Sequence, residues 1–208
     1  AFLGGAILLL SMFAWYSQGL PDPDTILNRD LAQSTKIYDR TGEHLLYEIA
    51  PEQKRTLVTI DIIPLSVQRA TITAEDRNFY EHSGISIKGI FRAVLSNIIS
   101  LDPTGQGAST ITQQFIKKAF LTDDQTYTRK IKEIVIAIAL EKKFEKDEIL
   151  QMYLNEAPYG GTMWGIESAA KGYFGKHAKD LTLLESVVLV GLPQRPSYYS
   201  PFGGNPTA

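Results

Sequence analysis

The sequence contains no cysteine and only three histidines among its 208 residues. The lack of cysteine excludes disulfide bonds and thiol catalysis, and it leaves the redox compartment of the protein open. The histidines (His44, His82 and His177) lie too far apart in the chain for an HExxH or similar zinc motif, so no transition-metal site is expected. A formal net charge of −2 gives no bulk evidence for nucleic-acid binding, so no nucleic acid is expected as a partner.

The remaining composition is that of an ordinary globular protein, with 44% hydrophobic and 21% charged residues. A chain of 208 residues can bury one sizeable core and carry a small appendage. The sequence shows neither internal repeats nor low-complexity tracts, which argues against a repeat architecture.

An uncharged run lies near the start of the chain, in FLGGAILLLSMFAWY (Phe2–Tyr16). A membrane-spanning helix needs about 20 apolar residues, and because the sequence starts without Met we expect the run to continue upstream. Trp15 and Tyr16 at its end are typical of the aromatic belt at a membrane interface. We therefore predict a transmembrane anchor at residues 1–17, in preference to the alternative of a secretory signal peptide.

A linker and a small β element are predicted between this anchor and the rest of the chain, within residues 18–62. The stretch STKIYDRTGEHLLYEIA alternates apolar and polar residues on either side of a turn that contains Gly42, which is typical of a β-hairpin. A third strand at 56–60 is expected to join this hairpin.

From Pro64 onward the apolar residues recur at helical spacing, which predicts a mainly α-helical domain over residues 63–208. The predicted helices lie at 64–80, 86–100, 109–120, 127–144, 146–155, 165–174 and 182–191.

Four polar clusters interrupt this helical pattern, and each of them taken singly fits a solvated helix surface. They are Glu75-Asp76-Arg77 with His82, GQGASTITQQ (105–114) with Lys117 and Lys118, RKIKE (129–133), and Lys146 with Asp147, Glu148, Tyr153 and Asn155.

The second and third clusters together predict a site for an anion. Ser109 and Thr110 precede a helix whose free N–H groups and partial positive charge favour negative ligands. Lys117 follows on the same helix, and Arg129 and Glu133 share a face of a later helix at i,i+4 spacing. Cations beside a helix N-terminus suit phosphate or pyrophosphate, and a carboxylate among them would hold a divalent metal or stay ionised.

These segments resemble, in order, the five motifs of the peptidoglycan glycosyltransferases of family 51. EDRNFYEHSGISIKGIFRA resembles ED-x-x-F-x-x-H-x-G, GASTITQQFIKK resembles G-x-S-T-I-T-Q-Q, RKIKE resembles R-K-x-x-E, and KDEILQMYLN resembles I-L-x-x-Y-L-N. ESVVLVGLPQRPSYYSP resembles the fifth motif, with its Pro and its Tyr-x-Pro ending. The resemblance covers residues 74–201 and includes both class A penicillin-binding proteins and monofunctional transglycosylases.

The resemblance implies a lysozyme-like α-helical fold that polymerises lipid II at the outer face of the bacterial cytoplasmic membrane. The C4 hydroxyl of an acceptor sugar would displace undecaprenyl pyrophosphate from the lipid-linked donor with inversion at the anomeric carbon. The implied partners are lipid II, the growing glycan strand, the bilayer, other cell-wall synthesis proteins and a moenomycin-type inhibitor.

The resemblance also assigns roles to individual residues. Glu75 matches the catalytic glutamate and would be the general base, a role that suits a carboxyl group in a tuned environment. Glu133 matches the second glutamate, and it would organise the leaving group and hold any divalent metal, Mg or Mn. Lys117, Arg129 and Lys130 would neutralise the pyrophosphate. The other predicted substrate-binding residues are Asp76, Arg77, Phe79, Ser109, Thr110, Gln113 and Gln114.

One departure from the family pattern is Gln125, where many members have an arginine that helps to bind the pyrophosphate region.

Two alternative interpretations stay open. A lysozyme-like hydrolase or lytic transglycosylase would share the fold and a catalytic glutamate, but it would not need the basic cluster. A membrane-anchored scaffold could retain the fold without any activity.

Overall fold

The computed structural model describes residues 35–49, 54–91, 109–121 and 127–201. Within these ranges no helix is both long enough and apolar enough to cross a bilayer, and the anchor predicted at 1–17 lies outside them. The chain forms two compact units. Of the described residues, 78–91, 109–121 and 127–149 belong to the first unit, and 35–49, 54–77 and 150–201 belong to the second.

The helices and strands of the described ranges confirm the prediction of a mainly α-helical protein. They are β1 (Thr35–Tyr38), β2 (Leu45–Ile49), β3 (Lys54–Arg55), α1 (Leu65–Glu75), α2 (Ile111–Phe120), α3 (Tyr127–Lys143), α4 (Lys146–Glu156), β4 (Met163–Trp164), α5 (Ile166–Phe174), α6 (Leu183–Gly191) and α7 (Pro196–Tyr199). Single 3₁₀ turns occur at Phe79–Glu81, Ala178–Asp180 and Leu192–Gln194, and residues 87–91 are helical.

The predicted β-hairpin is confirmed, since β1 and β2 pair antiparallel with Thr35 opposite Ile49. Gly42 in the turn has a φ of +76°, a left-handed conformation that glycine adopts without a steric penalty. The carboxylate of Asp39 fixes the turn by accepting hydrogen bonds from the Thr41 hydroxyl at 2.7 and 2.8 Å. The local sequence pattern is therefore sufficient to explain this element.

The third strand differs from its prediction. β3 lies at Lys54–Arg55 and pairs in parallel with β4, so the prediction of a strand at 56–60 within the hairpin is wrong. In that stretch the side chain of Asn155 holds the backbone instead. The Val58 N–H donates to Asn155 Oδ1 at 3.1 Å, and Asn155 Nδ2 donates to the Val58 carbonyl at 2.8 Å. These two bonds satisfy the polar groups that a neighbouring strand would otherwise have bonded.

Helix α1 ends before the predicted limit at residue 80. Its last residue is Glu75, and Asp76 already has φ −158° and ψ 79°, outside the helical range. Phe79, which extended the predicted helix, is instead a fully buried residue of the turn Phe79–Glu81. Glu75 therefore stands at the C-terminal end of a helix rather than in its interior.

Helix pairs build the core of each unit. In the second unit α1 packs against α6, where Val67 and Leu189 are fully buried and the hydroxyls of Ser66 and Ser186 bond at 2.8 Å. In the first unit α2 packs against α3. The buried side chains of this second pair include Ile111, Phe115, Ile116, Ile136 and Leu140.

A buried ion pair joins β3 to the end of α4 within the second unit. The guanidinium of Arg55 donates to both carboxylate oxygens of Glu156, at 3.0 and 3.2 Å, and it lies 5.4 Å from the centre of the Trp164 ring. Arg55 is 3% exposed and Glu156 is 4% exposed. Because a charge buried in this way depends on its counter-charge, the pair fixes the place of β3.

Replacing Arg55 by Met leaves the Glu156 carboxylate buried without its guanidinium partner. We expect the free energy of unfolding to fall by about 3–5 kcal/mol. The double variant Arg55→Met/Glu156→Leu removes both charges and should recover most of that loss. Urea denaturation measures both effects, with Arg40→Met in the exposed hairpin turn as the control. An Arg55→Met variant as stable as the parent would contradict this account of β3.

Candidate active site

The predicted site residues are divided between the two units. Glu75, Asp76 and Arg77 belong to the second unit. The first unit contains Phe79 and the predicted site residues that lie between Ser109 and Glu133. The structure therefore gives the geometry of each group within its own unit.

Glu75 shares the second unit with two buried phenols, Tyr153 and Tyr159, and its charge acts on both. Each tyrosine is 1% exposed. Burial raises the pKa of both phenols, and the negative charge of Glu75 raises the pKa of each further. Glu75 therefore acts electrostatically on two buried, uncharged phenols. Tyr153 lies in the fourth motif, whereas Tyr159 lies outside all five motifs and no sequence pattern indicated it.

Asp76 and Arg77 have different surroundings. Asp76 is 9% exposed, and its N–H donates to the Ile72 carbonyl at 2.9 Å to close the last turn of α1. Nε of Arg77 donates to the Thr73 carbonyl at 3.3 Å, so the exposed side chain lies back along the helix.

Arg77 also lines an apolar cavity of about 760 Å³ between α1 and α6. The α1 residues that line it include Ser66, Ala70 and Thr73, which recur every three or four residues and so share one face of the helix. Glu75, the last residue of α1, is not among the residues that line this cavity.

In the first unit the structure brings three predicted residues together. Nζ of Lys130 donates to Oγ of Ser109 at 2.9 Å and forms an ion pair with the carboxylate of Glu133. The side chain of Glu133 is 3% exposed, whereas that of Lys130 is 42% exposed. This cluster, Ser109–Lys130–Glu133, presents a partly exposed ammonium group beside the N-terminal end of α2, which suits an anion.

Thr110 and Gln113 form a reciprocal capping box at the start of α2. The Gln113 N–H donates to Oγ1 of Thr110 at 3.2 Å, and the Thr110 N–H donates to Oε1 of Gln113 at 3.0 Å. Both residues are buried, at 1% and 3% exposure. Each side chain is thus used to close the helix, and a role for either in substrate binding stays a prediction.

Phe79, another predicted substrate-binding residue, is completely buried, and its contact with a substrate stays a prediction. The ring packs edge-on against Tyr80 and His82, with centroids 5.3 and 6.3 Å away. The ammonium of Lys146 lies 4.6 Å from its centre. Phe79 is thus a core residue, anchored further by a cation–π contact.

Gly84, the glycine that ends the first motif, is required by close packing. Its φ is +89°, and a Cβ atom built there would lie 2.8 Å from the carbonyl carbon and oxygen of Ala137 on α3. Its own carbonyl accepts a hydrogen bond from the Thr110 hydroxyl at 2.7 Å. The first motif is therefore held to both α2 and α3 at this point.

The other predicted cationic and amide residues lie on the same two helices. Lys117 is exposed on α2, and Gln114 is partly exposed with its N–H bonded to the Thr110 carbonyl. Arg129 is partly buried at the start of α3. Gln125 lies outside the described residues. A role for any of these side chains in substrate binding stays a prediction.

Comparison with known proteins agrees with the five motifs. Residues 42–208 match the sequence model of the family described as Transglycosylase. The chain is 41% identical to penicillin-binding protein 1A of Aquifex aeolicus over 97% of its length, and 45% identical to penicillin-binding protein 1F of Bacillus subtilis over 82%. It is also 41% identical to penicillin-binding protein 1A of Escherichia coli over 95%.

The chain belongs to the transglycosylase family, and the resemblance to the glycosyltransferase domain of class A penicillin-binding proteins is confirmed. The chain spans about a quarter of the length of these relatives, at 27%, 24% and 23% respectively. The family match begins at residue 42, ahead of the predicted domain start at 63. The predicted domain boundaries stay a prediction.

The phenols of Tyr153 and Tyr159 offer a test of the charge on Glu75. Because their pKa values are raised, we expect both to stay protonated well above pH ~10, the ordinary tyrosine value. The stability that each neutral phenol contributes is then complete below that pH and is lost as the pH rises through the raised pKa.

The variant Glu75→Gln removes the negative charge of the carboxylate and leaves both tyrosines buried. Ultraviolet titration of tyrosinate should then show the pKa of both phenols moving downward while remaining above the ordinary value. Glu81→Gln, at an exposed acid of the other unit, is the matched control. An identical titration curve for Glu75→Gln and the parent would show that Glu75 does not act on these phenols.

Proposed function

We propose that this chain is a peptidoglycan glycosyltransferase that polymerises lipid II into glycan strands by inverting β-1,4 transfer. The observation that carries the proposal is the Ser109–Lys130–Glu133 cluster at the start of α2, which is suited to a leaving pyrophosphate. Membership of the transglycosylase family and the similarity to penicillin-binding proteins support it. We expect a lysozyme-like arrangement of the helices.

The reaction joins the acceptor C4 oxygen to the anomeric carbon of the donor. A sugar hydroxyl is a weak nucleophile, so a base must remove its proton as the new bond forms. In this proposal Glu75 takes that proton, and the buried Tyr153 and Tyr159 shape its surroundings. Direct displacement inverts the anomeric centre without an enzyme-bound intermediate.

The bond between the anomeric carbon and the phosphate oxygen breaks, and undecaprenyl pyrophosphate leaves with the electron pair. Pyrophosphate is a good leaving group once its negative charge is balanced. Lys130 supplies the balancing positive charge, and Ser109 and Glu133 orient its ammonium. Lys117 and Arg129 add further positive charge.

A divalent metal at Glu133 stays part of the proposal. The described residues contain no group of three or more histidine or acidic side chains that could hold a metal ion by themselves. A bound Mg²⁺ or Mn²⁺ would therefore take most of its ligands from phosphate oxygens and water, with Glu133 as the protein ligand. Its chemistry would be to neutralise the leaving pyrophosphate.

The location and partners follow from this substrate. Lipid II carries a polyprenyl tail, so the enzyme would work at the outer face of the bacterial cytoplasmic membrane, held there by the anchor predicted at 1–17. Its partners would be the growing glycan strand and other cell-wall synthesis proteins, and a moenomycin-type inhibitor would compete for the pyrophosphate cluster.

Replacing Glu75 by Gln removes the proposed base while keeping the size of the side chain. We expect the rate of lipid II polymerisation to fall by at least ~10²-fold, since general-base catalysis contributes about that much or more. Labelled lipid II and gel analysis of the polymer measure the rate, with Glu81→Gln as the control. Wild-type polymerisation by Glu75→Gln would rule out this base, and cleavage of finished peptidoglycan by the parent would favour the hydrolase alternative.

Lys130→Met tests the leaving-group site separately. Loss of one positioned charge should lower kcat/KM for lipid II by about 10²-fold and weaken inhibition by inorganic pyrophosphate to a similar extent. Lys132→Met, two residues further along α3, is the matched control because it removes an equal charge. Equal pyrophosphate inhibition in both variants would place the leaving-group site elsewhere.

A further inference from the structure

A second buried ion pair in the first unit involves Lys146, the first residue of α4. Its Nζ lies 2.5 Å from Oε2 of Glu141 on α3 and donates to the carbonyl of His82 at 2.6 Å. The side chains of Lys146 and Glu141 are 20% and 3% exposed. The same ammonium lies over the ring of Phe79. One lysine therefore contacts both ends of the segment 79–82.

The other carboxylate oxygen of Glu141 extends this network to α2. Oγ1 of Thr112, in the first turn of α2, donates to Oε1 of Glu141 at 2.5 Å. Tyr80 adds a further link, since its hydroxyl donates to Oδ1 of Asp147 at 2.8 Å beside Lys146. Glu141, which lies outside all five motifs, thus contacts the second motif at Thr112 and the fourth at Lys146, and Lys146 in turn contacts the first motif.

The spacing along α3 connects this network with the leaving-group site. Glu133, Ala137 and Glu141 recur every four residues, so they follow one face of the helix. Glu133 contacts Lys130 of the pyrophosphate cluster, Ala137 abuts Gly84, and Glu141 bonds Thr112. The start of α2 and the segment 79–84 are therefore both aligned on one rigid helix.

We propose that Lys146 and Glu141 are positioning residues for glycosyl transfer. Through His82 they hold the segment 79–84, which follows the proposed base Glu75 in the chain, and through Thr112 they orient the first turn of α2. The alignment of the Ser109–Lys130–Glu133 cluster then depends on this pair. The expected effect of this pair on the rate of lipid II polymerisation rests on the proposed function. Its expected effect on the structure of segment 79–84 and of the first turn of α2 does not.

The key variant is the double replacement Glu141→Gln/Lys146→Met in the full chain. Lys146→Met alone leaves a buried carboxylate without its ammonium and should lower the melting temperature. The double variant has no such charge, and its glutamine can still accept the bond from Thr112. We expect its melting temperature to return to within a few degrees of the parent, while the bond to the His82 carbonyl stays lost.

Two measurements on the double variant separate positioning from stability. Hydrogen exchange of the amides in residues 79–84 should be at least ~10-fold faster than in the parent, with α6 unchanged. The kcat for lipid II should fall by about 10²-fold with KM little changed, because a small misplacement of reacting groups costs about that much. Lys142→Met, at an exposed lysine of α3, should match the parent in both measurements.

Thr112→Val provides a second, milder variant. It removes only the bond to Glu141, so faster exchange should be confined to the first turn of α2, with 79–84 unaffected.

Unchanged amide hydrogen exchange at residues 79–84 in the double variant would overturn the inference, whatever its kcat for lipid II. Faster exchange with a normal kcat would also overturn it, because the pair would then be structural only. A parent that fails to polymerise lipid II would refute the proposed function instead, and the exchange data would still decide whether the pair holds the two segments.

Discussion

The first unit is organised by two carboxylates that are buried on one face of α3. Burying a carboxylate without a counter-charge costs several kcal/mol, so each needs a cation beside it. Glu133 is met by Lys130, which also binds Ser109, and Glu141 is met by Lys146. The start of α2 and the start of α4 therefore have fixed places along α3.

A buried charge also needs its counter-charge in the second unit, where Arg55 pairs with Glu156, 101 positions away in the chain. A two-residue strand such as β3 has too few backbone hydrogen bonds to fix its own position. The buried bidentate pair supplies the missing constraint, and Asn155 adds two bonds to the backbone of Val58. Residues 54–60 are therefore held by side chains of α4 as much as by sheet pairing.

This dependence on distant partners explains what the sequence could and could not predict. Helical periodicity located the helices and turn chemistry located the hairpin, because both are local properties. The strand predicted at 56–60 was wrong because Asn155, a residue of a distant helix, bonds the backbone of Val58 there. The sequence also does not show that Gln113 forms a capping box with Thr110, since that depends on the side-chain geometry at the start of α2.

The different surroundings of the carboxylates argue for different chemical roles. Glu133 and Glu141 each contact a lysine ammonium, so their charge is committed to an ion pair that orients a cation. Glu75 shares its unit with the buried phenols of Tyr153 and Tyr159, which are uncharged at neutral pH. A base must accept a proton during the reaction, whereas a group that orients a cation must keep its charge throughout. In the proposed mechanism Glu133 and Glu141 therefore act by holding a lysine in place, while the proton transfer is assigned to Glu75.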